Sequence, residues 1–355
     1  MESEHAEISH VVLMDGTFAS LKEGKGSSIA RIHAMLSGKH GPTVGKVNLY
    51  YAPGQQWAAW RTLPLLISGQ MLDQNIRDAY GWLARNWRPG NPLFLFGYSR
   101  GGIGVCALAD MISRIGLLLP EEATDVNILC AWNCYRYAGG IPLAPHRRHD
   151  HVPIHMIGLL DTVMSLGIHL PFRHFYSDPD FDYSRGRLAP NVAHGVHALA
   201  LDETRNAFSP ILWGGDGCGQ KLEQMWFRGC HADIGGQLDG HEAGRPLANL
   251  PLVWMMSRAQ EAGLPLPKDW QTNHPCDHRA PALGSWHRWG KAFLNRRPRD
   301  VGLGSSEALH PSVVLPYSGP ANLQGQLQSA AAETMPPKPI MHLSNDRDTD
   351  RSAPA

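Results

Sequence analysis

Short, almost wholly apolar runs recur along the chain, each closed by turn residues, and longer stretches between them space apolar residues three or four apart. His10 to Met14, Val47 to Tyr51, Leu93 to Phe96, Val126 to Trp132 and Ile154 to Leu160 read as strands. Their apolar character is continuous rather than alternating, which marks strands covered on both faces. The pattern predicts a mostly parallel, doubly covered sheet with crossover helices. Asp73 to Asn86 carries Ile76, Tyr80 and Leu83 at helical spacing before Arg88-Pro89-Gly90-Asn91 stops it, completing a βαβ unit. From about 163 to 219 the pattern breaks into a Pro-, Phe- and His-bearing stretch, a helical-looking Val192 to Ala207 and a glycine-rich turn. That interval reads as a cap inserted on the sheet. A last strand at Gln224 to Phe227 and a helix at Leu252 to Ala262 restore the α/β pattern, whereas Thr334 to Ala355 is polar and Pro-containing. One domain over 1–323 with a disordered tail over 324–355 is the expected organisation.

Composition narrows the function classes. Of 355 residues, 32 are Lys or Arg and 32 are Asp or Glu, so the formal net charge is zero and no field draws in a polyanion. Nucleic acid is therefore not an expected partner. The six cysteines, Cys106, Cys130, Cys134, Cys218, Cys230 and Cys276, form no Cys-x-x-Cys pair, which fits reduced thiols in a cytoplasmic setting. The acidic start Met1-Glu-Ser-Glu-His-Ala-Glu has no secretory signal and no apolar run is long enough to span a membrane, so export would need a signal-independent route.

The sharpest chemistry lies in Leu93-Phe-Leu-Phe-Gly97-Tyr-Ser99-Arg100-Gly101-Gly102, a Gly-x-Ser-x-Gly run after a strand and before Ile103, Cys106, Ala107 and Ile112 at helical spacing. A serine hydroxyl is a poor nucleophile unless a tight turn holds it exposed beside a base, and Gly97 and Gly101 give that turn its room. The helix that follows favours negative charge near Ser99. The plainer reading is a glycine-rich strand–helix junction without covalent chemistry.

Ser99 as nucleophile requires a base and an acid, in the chain order Ser, Asp, His for an α/β-hydrolase-like fold. With 19 histidines, position must select among them. His231, on the glycine-flanked loop Gly229-Cys-His231-Ala-Asp233-Ile-Gly-Gly after the last predicted strand, is the candidate base. Asp161, at the end of the Ile154 to Leu160 strand, is the candidate acid. Asp233 is the rival acid, although two residues from His231 it is better placed to hold its own turn by Asx-type hydrogen bonds. Asp15-Gly16-Thr17 closes the first strand, where a peptide N–H of Gly16 or Thr17, with that of Arg100, could form an oxyanion hole. Gln55 to Leu72 is apolar and carries Trp57 and Trp60, read either as buried packing or as a rim that meets acyl chains or a bilayer surface. His146-Arg-Arg-His149-Asp-His151-Val-Pro-Ile-His155 lacks the spacing of metal ligands on a helix face and reads as a solvated basic loop. No cofactor or metal is called for, and no phosphate-binding glycine motif is present.

Five ordered motifs carry a family resemblance: Asp15-Gly16-Thr17, Gly97-Tyr-Ser99-Arg100-Gly101, Gly158-Leu-Leu-Asp161-Thr-Val, His197-Ala-Leu-Ala-Leu-Asp202-Glu203-Thr-Arg205 and Gly229-Cys-His231-Ala-Asp233-Ile-Gly-Gly. In that order, from about Val11 to Leu264, the chain resembles a bacterial α/β-hydrolase family formerly catalogued as a domain of unknown function. That family includes the catalytic domain of phospholipase effectors delivered by type VI secretion. The resemblance implies a serine esterase or phospholipase A with Ser99 as nucleophile, Asp161 as acid and His231 as base. It also implies a lipid or ester substrate, peripheral membrane contact, and a secretion or immunity partner if the protein is an effector. Some members add a large membrane-associating module, which is not expected in a sequence of this length. Gln55-Gln-Trp57 departs from the family's usual Gly-Val-Gly-Thr run, which bears on substrate class. The competing functions are a non-catalytic α/β scaffold that binds a ligand or partner in the same cleft, and a hydrolase of small soluble esters.

Overall fold

In a computed structural model the described residues are 7–24, 26–37, 46–55, 70–137, 144–163, 186–214, 219–302 and 304–314. Among the described residues, seven strands form one parallel sheet: β1 (Ser9–Met14), β2 (Val47–Ala52), β3 (Leu93–Tyr98), β6 (Ile154–Leu160), β7 (Val192–Ala200), β8 (Lys221–Phe227) and β9 (Glu307–Leu309). Their spatial order is β2-β1-β3-β6-β7-β8-β9. A short antiparallel pair, β4 (Leu117–Leu118) with β5 (Arg148–His149), stands apart. The helices are α1 (Ser28–Ser37), α2 (Gln70–Asn86), α3 (Arg100–Ile115), α4 (Asp125–Tyr137), α5 (His231–Gly235) and α6 (Arg245–Glu261).

The strand sequence explains the layers. Side chains alternate between faces, so Val12, Met14, Leu95, Ile157 and Leu159 join one core with α2, α3 and α4. Val11, Leu13, Phe94, Phe96 and Met156 join the other with α1 and α6. Both faces are covered, so every position of β1 and β3 is buried, which is why those runs are continuously apolar. Chain order reverses direction at β1 and β3, which are neighbours with β2 on the far side of β1. Ligand sites in open parallel sheets sit at the carboxyl ends of strands at such a switch point.

Three predicted elements are corrected. Val126 to Trp132, read as a strand, lies within helix α4, which buries Ile128, Ala131, Trp132 and Tyr135 at helical spacing. Val192 to Ala207, read as helical, begins with strand β7, which is bonded between β6 and β8. Short apolar runs do not distinguish the two periods, and in β7 the ladder partners on both sides decide. Nor is Gln224 to Phe227 the last strand, because β9 pairs beyond it, Gln224 opposite Glu307. Of the interval read as a cap, β7 belongs to the sheet, and 164–185 and 215–218 lie outside the described residues. So do Trp57, Trp60 and the expected tail. No described helix is long and apolar enough to cross a membrane.

Candidate active site

Ser99 sits between β3 and α3 with φ 55° and ψ −123°, a conformation that costs a non-glycine residue about 1–3 kcal/mol and persists only where its surroundings enforce it. The enforcement is close packing. A Cβ at Gly97 would fall 2.5 Å from the Gly102 Cα, and one at Gly101 would fall 2.2 Å from the Met14 carbonyl oxygen. Only glycines let α3 start hard against β3 and the end of β1.

The structure brings Ser99, His231 and Asp161 together. Ser99 Oγ lies 2.9 Å from His231 Nε2, and His231 Nδ1 lies 2.7 Å from Asp161 Oδ2. His231, expected on a loop, instead opens the short helix α5. Its ring packs 5.0 Å from that of Tyr98 and meets Phe208 edge-on at 4.9 Å. Asp161 follows β6, has φ 42° and is fully buried. Burial pushes its pKa up, but the Arg299 guanidinium and the hydrogen bonds from His231 and Arg299 outweigh that and hold it well below the carboxylate range. An ionised Asp161 can only accept, so Nδ1 carries a proton toward it, and in the neutral imidazole Nε2 is the nitrogen that accepts from the Ser99 hydroxyl.

Asp233 is engaged elsewhere. Its Oδ2 accepts the Cys230 N–H at 2.8 Å and its Oδ1 accepts the Leu283 N–H at 2.7 Å. It caps α5 instead of meeting the imidazole. At the end of β1, Asp15 Oδ1 accepts the Gly16 N–H at 2.8 Å and the Ser27 hydroxyl at 2.6 Å, while Oδ2 accepts the Tyr51 hydroxyl at 2.8 Å. The Gly16 N–H is thus committed to the Asp15 carboxylate, which leaves Thr17 as the candidate donor from this turn. The Arg100 Nε donates to Thr17 Oγ1 at 2.7 Å, tying that turn to the start of α3.

Three residues near the triad carried no role in the sequence reading. Arg299 Nη1 donates to Asp161 Oδ1 at 2.6 Å and Nη2 donates to Oδ2 at 3.0 Å. Glu203, nearly fully buried, accepts the His231 backbone N–H at 3.2 Å and pairs with Arg205. Phe208 walls the imidazole and has the Arg205 guanidinium 3.8 Å over its ring. Glu203 and Arg205 lie within the His197 to Arg205 motif. For Arg299 the available signal is that a buried acid needs a cation, which does not choose among Arg296, Arg297 and Arg299.

A doubly covered parallel sheet with an elbow serine at its switch point is the architecture of an α/β-hydrolase-like protein. Residues 9–258 match the family described as T6SS, phospholipase effector Tle1-like, catalytic domain, and the chain belongs to that family. An uncharacterized protein of Saccharomyces cerevisiae is 30% identical over 163 residues, covering 40% of this chain and 21% of the yeast protein. Among solved structures, an uncharacterized protein from Pseudomonas aeruginosa superposes with a TM-score of 0.47 at 18% identity, covering 78% of this chain and 50% of that one. A Tle1 effector bound to the VgrG spike of the type VI secretion system gives a TM-score of 0.36 at 16% identity, covering 65% of this chain and 51% of that one. The chain spans about a fifth of the curated relative and about half of each solved structure.

Proposed function

We propose that this chain is a serine hydrolase of carboxylic esters, acting on lipids as a phospholipase A-type esterase through Ser99, His231 and Asp161. The hydrogen-bonded relay from Ser99 Oγ through His231 to Asp161, 2.9 and 2.7 Å in its two steps, carries the reading. Ser99 Oγ attacks the ester carbonyl carbon as His231 Nε2 takes its proton. The oxyanion is met by the Thr17 N–H and the Arg100 N–H at the start of α3. Collapse expels the alcohol, which takes the proton from His231, and leaves an acyl-Ser99. Water then attacks with His231 again as base, releasing the acid and restoring the serine.

Two exposed apolar flanks favour lipid over small soluble esters. Phe18 and Leu21 follow the Asp15-Gly16-Thr17 turn and are exposed, and the Phe18 N–H donates to the Gln55 carbonyl. On the other side Phe208, against His231, packs on Phe293, and the adjoining segment carries Leu294, 84% exposed, and Trp286, 57% exposed, with the exposed cations Lys291 and Arg297. Apolar and aromatic side chains among cations suit the headgroup boundary of a membrane. Membership of an effector family makes a secretion partner and an immunity protein the expected protein contacts.

The test is fluorophosphonate labelling with turnover of phospholipid in micelles and of short p-nitrophenyl esters. Labelling at Ser99, its loss with turnover in a folded Ser99→Ala protein, and preference for the micellar substrate are expected, with a loss of several orders of magnitude in rate. Near-normal turnover by Ser99→Ala would remove the nucleophile assignment. Preference for short esters would reduce the reading to a small-ester hydrolase, and an unlabelled protein without turnover points to a binding scaffold.

A further inference from the structure

A carboxylate buried in a low-dielectric interior stays charged only if a cation or several donors face it, and its plane is fixed only if those donors are themselves fixed. Around Asp161 the Ala200 N–H donates to Oδ1 at 2.9 Å and His231 meets Oδ2, and the two arms of Arg299 close the fork. The same guanidinium donates to the Ala200 carbonyl at 2.8 Å and to the Phe208 carbonyl at 2.6 Å. One side chain thus ties together the acid, the end of β7 and the residue whose ring walls the base. Its backbone is anchored too, because Val301 packs with Leu199, Leu201, Trp226 and Val313. Leu283, from the same C-terminal stretch, holds Asp233 and with it α5. Both Leu283 and Arg299 lie beyond the family-matched residues, which end at 258.

We propose that Arg299 is the positioning residue for the triad acid, so that the catalytic unit extends past α6 into the irregular segment that delivers this guanidinium; the inference rests on the triad reading above. Two parallel N–H bonds set the plane of the Asp161 carboxylate and therefore aim Oδ2 at His231 Nδ1, which a single-point ammonium does not do. Among the described residues, the charged and titratable groups facing Asp161 are Arg299, His231, His197 and Tyr98. Burial lowers the His197 pKa to about 3 and holds the Tyr98 phenol well above its ordinary value, so both stay neutral near pH 7. Arg299 is the standing cation, and without it burial favours a protonated acid that no longer accepts from the imidazole.

Arg299→Met in the full chain is expected to lower kcat about 10²-fold with little change in KM, as a displaced catalytic group does. The acid limb of its kcat–pH profile should move up. Arg299→Lys restores the charge without the fork, so it should recover the pH profile but only part of kcat. On an Asp161→Asn background Arg299→Met should cost little more, because it acts through that carboxylate. A folded Arg299→Met protein with native kcat and pH profile, or an equal loss from the native and Asp161→Asn backgrounds, overturns the proposal. If Arg299→Met does not fold, Arg299→Lys and the Asp161→Asn/Arg299→Met pair decide it. A short His231 Nδ1–H to Asp161 hydrogen bond is expected to give a far-downfield proton resonance in the native chain, which reads the same geometry without turnover. Its loss in Arg299→Met supports the role even if the native chain hydrolyses no ester, a failure that falls on the hydrolase reading alone. An unchanged resonance overturns it.

Discussion

Two aspartates end two strands of the same sheet, both buried, and their environments drive them in opposite directions. Asp15, after β1, meets three neutral donors, the Gly16 N–H and the Ser27 and Tyr51 hydroxyls, and burial still raises its pKa to about 6. Asp161, after β6, meets Arg299 as well as neutral donors, and it is held well below the carboxylate range. Three good hydrogen bonds do not offset the loss of water, whereas a fixed guanidinium does. The difference matches the roles proposed for the two: the acid of a relay must be an anion at working pH, while a turn-holding carboxyl works in either state.

The largest effect should come from breaking the cation-held member. Asp161→Asn is expected to lower kcat about 10⁴-fold in a folded protein by leaving His231 in the wrong tautomer. Ester turnover beside a melting curve checks it, and Asp161→Asn that keeps most activity while Asp233→Asn loses it would move the acid to Asp233.

Asp15→Asn addresses stability against pH. The folded pKa of Asp15 is raised, so its favourable contribution is full below the unfolded pKa near 3.8 and is lost as pH rises through about 6. The shift corresponds to about 3 kcal/mol. Asp161 has the opposite sign: its contribution is full above the unfolded value and is lost as pH falls toward its depressed folded pKa. Urea unfolding at pH 4.5 and 7.5 should show the fall across this window in the native chain and its disappearance in Asp15→Asn. An unchanged fall would mean that Asp15 is not the group responsible.

Tyr51→Phe is the finest probe. It removes one donor to the charged carboxyl, so the loss should be about 1 kcal/mol at pH 7.5 and smaller at pH 4.5. Equal losses at the two pH values would point to packing.

How much of this was legible follows from the range of each interaction. Ser99 is announced by five consecutive residues whose turn geometry is local, and strand ends nominate Asp161 and His231 because parallel strands collect functional groups at one edge. Arg299 lies 138 residues from Asp161, in a segment without periodicity, and nothing local separates it from its arginine neighbours. The Gly16 N–H counts among the oxyanion donors until the Asp15 carboxylate is seen to take it. Strand β7 is rich in Ala, His and Gly, with only Val192 and Val196 as β-branched residues, so its conformation is imposed by β6 and β8 rather than by propensity.

The position of β9 has a consequence for folding in time. Its ladder with β8 joins Gln224 to Glu307, and the chain between them brings in Arg299. Synthesis runs at about 5–20 residues per second, so the ribosome needs several seconds to pass from His231 to Arg299. In that interval Asp161 has no guanidinium, and burying it as an anion is unfavourable. Asp161 therefore gains its guanidinium partner only once the segment between β8 and β9 has docked, so this corner of the molecule is completed late in synthesis.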